Sequence, residues 1–335
     1  MILVTGGTGL LGAHLLLHLL EKEKQIKAIH RANSDLQRVK KVFSYYTEKA
    51  EELFKKIQWI SADINDIPAL QLAFENVTYV YHCAALISFD PKDYERMLKI
   101  NVEGTSNIVN LCISRNIGKL CYVSSIAAIG KSKNTAEVTE ENEWNGLEAN
   151  VYALTKHEAE IEVWRGIQEG LNAVIINPGV ILGPGFWDTG SGLLFKKAAG
   201  APKYYPPSGS GFITVNDVVQ LMVGLMESGI KDERFIAVSQ NLTYKEILSR
   251  IVGEFGKSAP KKELKFWHLE MLWRLDWFWS SLTNKKRRLT KITVTSLKNR
   301  QIYCNKKITD KLQFEYEPLA ATIKYTCNRF KEENP

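Results

Sequence analysis

The chain opens with Ile2-Leu3-Val4-Thr5-Gly6-Gly7-Thr8-Gly9-Leu10-Leu11-Gly12, a β-branched run, a glycine-rich turn and the start of an apolar helix. Glycines at 6, 9 and 12 suit a sharp turn, a backbone lying close to a ligand, and a helix packed tightly on its strand. A helix beginning there presents unpaired N–H groups and the positive end of its dipole, both of which favour a phosphate. Gly6, Thr8, Gly9, Leu10 and Leu11 are therefore the candidate contacts to a dinucleotide's pyrophosphate. A glycine triplet alone is weak evidence. Its place between a strand and a helix, at the head of a chain that goes on alternating, gives it force.

Beyond this opening, short β-branched runs at 26–30, 58–61, 79–83, 119–124 and 173–177 read as further strands. Helical patterns at 11–22, 66–74, 94–114 and 151–166 lie between them. Such alternation predicts an α/β fold, a Rossmann-type doubly wound parallel sheet with right-handed crossovers and its ligand at the carboxyl ends of the strands. After Pro178 the texture changes: Gly183-Pro184-Gly185, Gly190-Ser191-Gly192 and 206–211 interrupt the alternation. A smaller C-terminal substrate domain is expected from here. The predicted dinucleotide-binding domain covers 1–177, with 212–239 returning to it as a strand, a helix and a strand. Residues 178–211 and 240–335 form the predicted substrate domain.

The 335 residues are 45% hydrophobic, enough to bury a substantial core. No apolar run reaches the roughly 20 residues of a membrane helix, so a soluble, cytoplasmic protein is expected. The five cysteines form no C-x-x-C pair and suggest neither a disulfide framework nor zinc. No metal is expected from the histidines either. Residues 257–335 carry 18 Lys and Arg against 8 Asp and Glu, leaving the preceding part slightly acidic. A solvated basic face explains this more simply than nucleic acid, which is not expected as a partner.

The second strand ends in Ile29-His30-Arg31, with no carboxylate before Asp35. A cation where an adenosine ribose would sit favours a 2′-phosphate, so Arg31, with Arg38 seven residues on, points to NADP, with NAD as the alternative. Asp63 follows the third strand and is placed to meet the adenine amino group, with Ile64 against the ring. Its other reading is a cap for the next helix. Tyr152 and Lys156 stand four apart in a helix and share a face. An ammonium beside a phenol favours the phenolate, which makes Tyr152 a workable proton donor or acceptor. The run Tyr122-Val123-Ser124-Ser125-Ile126 ends a strand and brings a hydroxyl to the same sheet edge. Serine, tyrosine and lysine together would converge on a carbonyl beside a nicotinamide.

With these motifs in this order the chain resembles the extended short-chain dehydrogenase/reductases. The resemblance also takes in His82-Cys83-Ala84-Ala85 with Phe89, Asn101-Val102-x-Gly104-Thr105, Asn177-Pro178-Gly179 and Phe212-x-x-Val215-x-Asp217. It implies that Ser125 is the catalytic serine, with Ser124 supporting the loop. It implies that Tyr152 transfers the proton, that Lys156 holds the nicotinamide ribose and tunes Tyr152, and that Asn101 steadies its helix. Ala84 and Ala85 would line the cofactor, and Pro178 and Gly179 the nicotinamide face. The pattern is most similar to the dihydroflavonol 4-reductase and 3β-hydroxysteroid dehydrogenase branch. Nucleotide-sugar epimerases usually carry an arginine where this chain has Ser210.

An NAD(P)-dependent oxidoreductase acting on a small hydrophobic carbonyl or alcohol is the expected function. A nucleotide-sugar epimerase or dehydratase with tightly held NAD is the alternative, and a non-catalytic dinucleotide sensor the third reading. The resemblance is also compatible with a homodimer. The stretch 266–279, with Trp267, Trp273, Trp277 and Trp279, precedes Lys285-Lys286-Arg287-Arg288. Aromatics on all sides predict a buried helix of the small domain, with an interfacial membrane helix as the lesser reading. His82 is expected to be a core histidine, and His157 structural or exposed.

Overall fold

Residues 2–5 are buried along their whole length, as an internal parallel strand covered on both faces must be. In the computed structural model, which describes residues 1–131, 137–146, 149–283, 289–297 and 300–334, this strand lies within a seven-stranded sheet. From one edge the strands are Glu233–Ala237, Ala173–Pro178, Lys119–Val123, Tyr79–His82, Ile2–Thr5, Ile26–His30 and Gln58–Ser61. All six pairings are parallel. Chain order runs outward from Ile2–Thr5 on one side and resumes at Tyr79–His82 on the other. The crevice beyond the carboxyl ends of these two strands is the topological switch point, where α/β sheets bind ligands.

Helices cover both faces. Leu10–Glu21 and Val215–Glu227 pack together on one face, with Leu15, Leu16, Val218 and Met222 in a common core. Gly104–Ser114 and Val151–Gln168 cover the other with Ile108, Val109, Ala159 and Val163. A three-stranded sheet of Val180–Leu182, Gly209–Thr214 and Gln240–Thr243 has its own core around Phe195, Ile247, Ile251 and Phe330.

Four elements depart from the sequence reading. The strand expected at the start of 212–239 to return to the dinucleotide-binding sheet is Gly209–Thr214, and it pairs instead with Val180–Leu182 and Gln240–Thr243 in the small sheet, while the following helix and the strand Glu233–Ala237 do return. The crossover from the second to the third strand contains two helices, Leu36–Ser44 and Ala50–Lys55, that it did not identify. Only Val39, Val42 and Phe43 mark the buried face of the first, amid lysines and an arginine. The helix expected over 94–114 is interrupted by a π-helical turn, Leu98–Glu103, which rotates the register at Asn101. The tryptophan-rich stretch does form a helix, Phe266–Thr283, but it is not buried. Its principal neighbour is the six-residue helix Lys291–Ser296, too small to cover large side chains on every side, so Trp267, Trp277 and Trp279 remain exposed. The run Lys285 to Arg288 lies outside the described residues.

Candidate active site

The glycine turn closes on Gly6, whose φ of +69° is left-handed. A Cβ on Gly6 would come within 2.6 Å of the Ala84 amide nitrogen, because the loop after Tyr79–His82 passes directly over the turn. A Cβ on Gly12 would strike the Gly6 carbonyl oxygen. Gly9 is the N-cap of Leu10–Glu21 and provides no capping side chain, and the first helical turn contains no acidic residue. The amides of Leu10, Leu11 and Gly12 precede the hydrogen bond from Ala13 N to Gly9 O at 2.9 Å. This end of the helix therefore has the shape and the charge for a pyrophosphate.

The outer candidates lie on neighbouring strand ends. Arg31 is exposed at the end of Ile26–His30. Arg38 is exposed one helix later and pairs with Asp35 at 3.3 Å, an interaction weak enough for an incoming phosphate to replace. Asp63 does not cap the next helix. Its carboxylate accepts from the Asn65 amide at 2.9 Å, and Asp66 is the cap, accepting from Ala69 N at 3.2 Å. Ile64 is buried in the core against Gly104. Ala84 and Ala85 follow the fourth strand, and Ala84 N donates to Thr5 Oγ1 at 3.2 Å. Pro178 ends the sixth central strand, and Gly179 N donates to Ala237 O at 3.0 Å.

Three groups meet at the carboxyl ends of the middle strands. Asn150 caps Val151–Gln168 by accepting from Ala153 N at 2.9 Å, which sets the helical phase of Tyr152, Lys156 and Glu160. Ser125 is buried, and its Oγ accepts from Ala127 N at 3.1 Å. Burial raises the Tyr152 phenol above its ordinary value, opposed by the neighbouring Ser125 hydroxyl. Phe89 stands edge-on to the Tyr152 ring at 5.7 Å. Lys156 is buried, and its ammonium donates to Tyr122 Oη at 2.9 Å and to Val123 O at 2.8 Å. Burial pulls it down to about 7 against the opposing field of Glu160. Its described partners thus lie on the strand, so Tyr152 keeps its proton firmly in this arrangement.

The two adjacent serines have different surroundings. Ser124 Oγ donates to Glu160 at 2.6 Å, whereas Ser125 Oγ accepts from Ala127 N and lies near the Tyr152 phenol. Glu160, which the sequence reading passed over, also accepts from Asn177 Nδ2 at 2.9 Å and Arg234 at 3.1 Å. Arg234 reaches on to the Glu140 carbonyl, tying the helix, three strand ends and the following loop together. The spacing of Glu160, four after Lys156, was the available signal. Asn101 accepts from Leu86 N at 2.7 Å and donates to Leu86 O at 3.0 Å and Thr155 Oγ1 at 3.1 Å. It clamps the Leu86 loop to the Tyr152 helix.

His82 is a fully buried core residue. Thr5 Oγ1 lies 2.6 Å from Nδ1, and Thr105 Oγ1 lies 3.0 Å from Nε2. Because Ala84 N donates to Thr5 Oγ1 and Thr105 Oγ1 donates to Asn101 O at 2.5 Å, one ordering satisfies the chain. Thr5 donates to a neutral ring whose Nε2–H donates to Thr105. Burial holds the imidazole down near 3, helped by the positive charge on Lys156. His157 is stacked on Trp144 with ring centroids 4.2 Å apart.

Comparison with known proteins agrees with this fold. Residues 4–243 match the family described as male sterility protein, an NAD-binding family. The chain is 30% identical over 275 residues to a putative dihydroflavonol 4-reductase of Synechocystis sp., covering 79% of this chain and 75% of that one. It is 28% identical to sterol demethylase protein B of Methylococcus capsulatus, over 77% and 76% of the two chains. The fold is also that of UDP-glucose 4-epimerase from Thermotoga maritima, with a TM-score of 0.76, 19% identity, and coverage of 100% and 99%. A Rossmann sheet, a glycine turn at its switch point and relatives among the reductases give one conclusion. The chain belongs to the male sterility protein family, within the extended short-chain dehydrogenase/reductases, and is an NAD(P)-dependent oxidoreductase.

Proposed function

We propose that this enzyme reduces the carbonyl of a small hydrophobic molecule with NADPH, and catalyses the reverse oxidation of the alcohol. The observation that carries the reading is the gathering of Ser125, Tyr152 and the buried Lys156 at one edge of the sheet, with Tyr152 and Lys156 one helical turn apart. A phenol raised by burial is protonated at neutral pH and suited to act as an acid. Tyr152 gives its proton to the carbonyl oxygen as negative charge develops there, while Ser125 Oγ–H donates a hydrogen bond to the same oxygen. Nicotinamide, when bound, supplies the hydride. Gly6, Thr8, Gly9, Leu10 and Leu11 hold the pyrophosphate, Asp63 and Ala84 lie toward the adenosine side, and Pro178 and Gly179 line the nicotinamide. Arg31 and Arg38 are the exposed cations that favour NADP over NAD. Exposed Ile87 and Phe89, on the loop facing Tyr152, give the approach an apolar wall suited to a hydrophobic substrate.

The test is Tyr152→Phe, which removes the acid and keeps the ring against Phe89. NADPH binding, read from fluorescence enhancement, should be retained, and turnover on an aldehyde and ketone panel should fall by about a hundredfold or more. Comparable turnover in the variant would overturn the assignment. An enzyme that releases NAD only on denaturation and epimerises a sugar nucleotide without added cofactor would replace it with the epimerase reading.

A further inference from the structure

The helix Phe266–Thr283 presents a row of large apolar side chains to solvent. Trp267, Met271, Leu275, Phe278 and Leu282 recur at intervals of four, four, three and four, so they share one face. All are between 47% and 66% exposed, and Trp279 beside them is 61% exposed. The opposite side is anchored: Leu269 and Ser280 are buried, and Asp276 accepts from Leu289 N at 3.1 Å. The apolar face is therefore the outward one of a helix already docked by its other side. A patch of this kind marks an interaction surface.

Charge identifies what would cover it. Lys261, Lys262 and Lys265 are exposed immediately before the helix, and Arg274 in its middle is 59% exposed while paired with Glu270 at 2.8 Å. In sequence, four consecutive cations, Lys285 to Arg288, begin two residues after Thr283. An apolar face carrying tryptophans, with exposed lysines at its N-terminal end, fits the boundary between headgroups and acyl chains, where indole rings and lysine stems are accommodated together. Among the described residues no helix is long and apolar enough to cross a membrane, so contact would be with one leaflet. We infer that this helix docks the enzyme on an anionic bilayer, its apolar face entering the interface and its flanking cations meeting acidic headgroups. This surface is independent of the reductase reading, and its failure would leave that reading intact.

The experiment uses the full chain and vesicles of phosphatidylcholine, alone or mixed with phosphatidylglycerol. Binding is read by co-sedimentation and by the emission maximum of the tryptophans. Partition onto the mixed vesicles should be at least about tenfold stronger than onto the neutral ones, with a blue shift, and should weaken with added salt. The triple variant Trp267→Ser, Leu275→Ser, Phe278→Ser should lose partition by about tenfold or more while binding NADPH normally, which shows that it folds. Equal partition on the two lipid compositions, or unchanged partition by the variant, would overturn the proposal. So would a wild-type dimer in gel filtration that the variant converts to monomer, because a second copy would then be covering the face.

Discussion

Arg31 illustrates how much one side chain at a strand end can decide. It is exposed beyond Ile26–His30 and has no carboxylate beside it in sequence before Asp35, which is already bonded to Arg38 and to the Gln37 amide. A guanidinium free to meet a phosphate forms charge-assisted hydrogen bonds worth about 1.5–3 kcal/mol. Arg31→Ser should therefore raise the KM for NADPH by about ten- to a hundredfold and leave that for NADH nearly unchanged. Steady-state kinetics with both cofactors makes the comparison, and equal losses for both would show that Arg31 does not read the 2′-phosphate. Ser125 and Ser124 make the complementary point. Adjacent in sequence, they face different partners because an extended backbone sends successive side chains to opposite sides.

The Tyr152 helix is held by ionic bonds as well as by packing. Glu160 is buried and joins Ser124, Asn177 and Arg234, whose side chain is itself only 19% exposed. Glu160→Ala would strand the guanidinium and two hydrogen-bond donors in a low dielectric, and breaking such a pair costs about 3–5 kcal/mol. Urea unfolding should show that loss. Activity should fall further than the folded fraction predicts, because Ser124 and Asn177 position the Ser125 loop. Unaltered unfolding would mean that water replaces the carboxylate without cost. Elements of this kind were legible in the sequence to different degrees. The strand 2–5 and the helix holding Tyr152 follow from local pattern, since burial on both faces demands continuous apolar residues and a helix demands its period. Glu160, Arg234 and Glu140 lie 74 and 94 residues apart in their pairs. No local periodicity encodes such pairing; only the closed sheet brings them together. The π-turn at Asn101 and the exposure of Trp267 were hidden for the same reason, because each is set by which neighbour the helix finds.

Across the whole molecule, the buried imidazoles make the fold sensitive to acid. Burial lowers His82 to about 3 and His14 to about 4, and it lowers His18 and His157 as well, the last two only half-buried. A base whose folded pKa lies below its unfolded value of 6.5 binds more protons when unfolded. Its contribution to stability is complete above 6.5 and drains away as the pH falls toward the folded value, at up to about 1.4 kcal/mol per pH unit for each fully buried ring. Asp217 acts in the opposite sense: burial raises it to about 6, so the folded state takes up its proton first and gains stability between 6 and 3.8. Two buried histidines outweigh one buried carboxyl, and the net slope is downward. The surface carboxylates lowered by lysines, Glu51 and Asp188 among them, add their losses only below about 4.5. The urea midpoint should therefore already fall between pH 6.5 and 4.5, before those carboxylates titrate. His82→Gln tests the cause: it forfeits one of the two threonine bonds at neutral pH and so starts lower, but its midpoint should decline less steeply over that interval. A decline as steep as the wild type's would show that the acid sensitivity arises elsewhere than in the chain from Thr5 through His82 to Thr105.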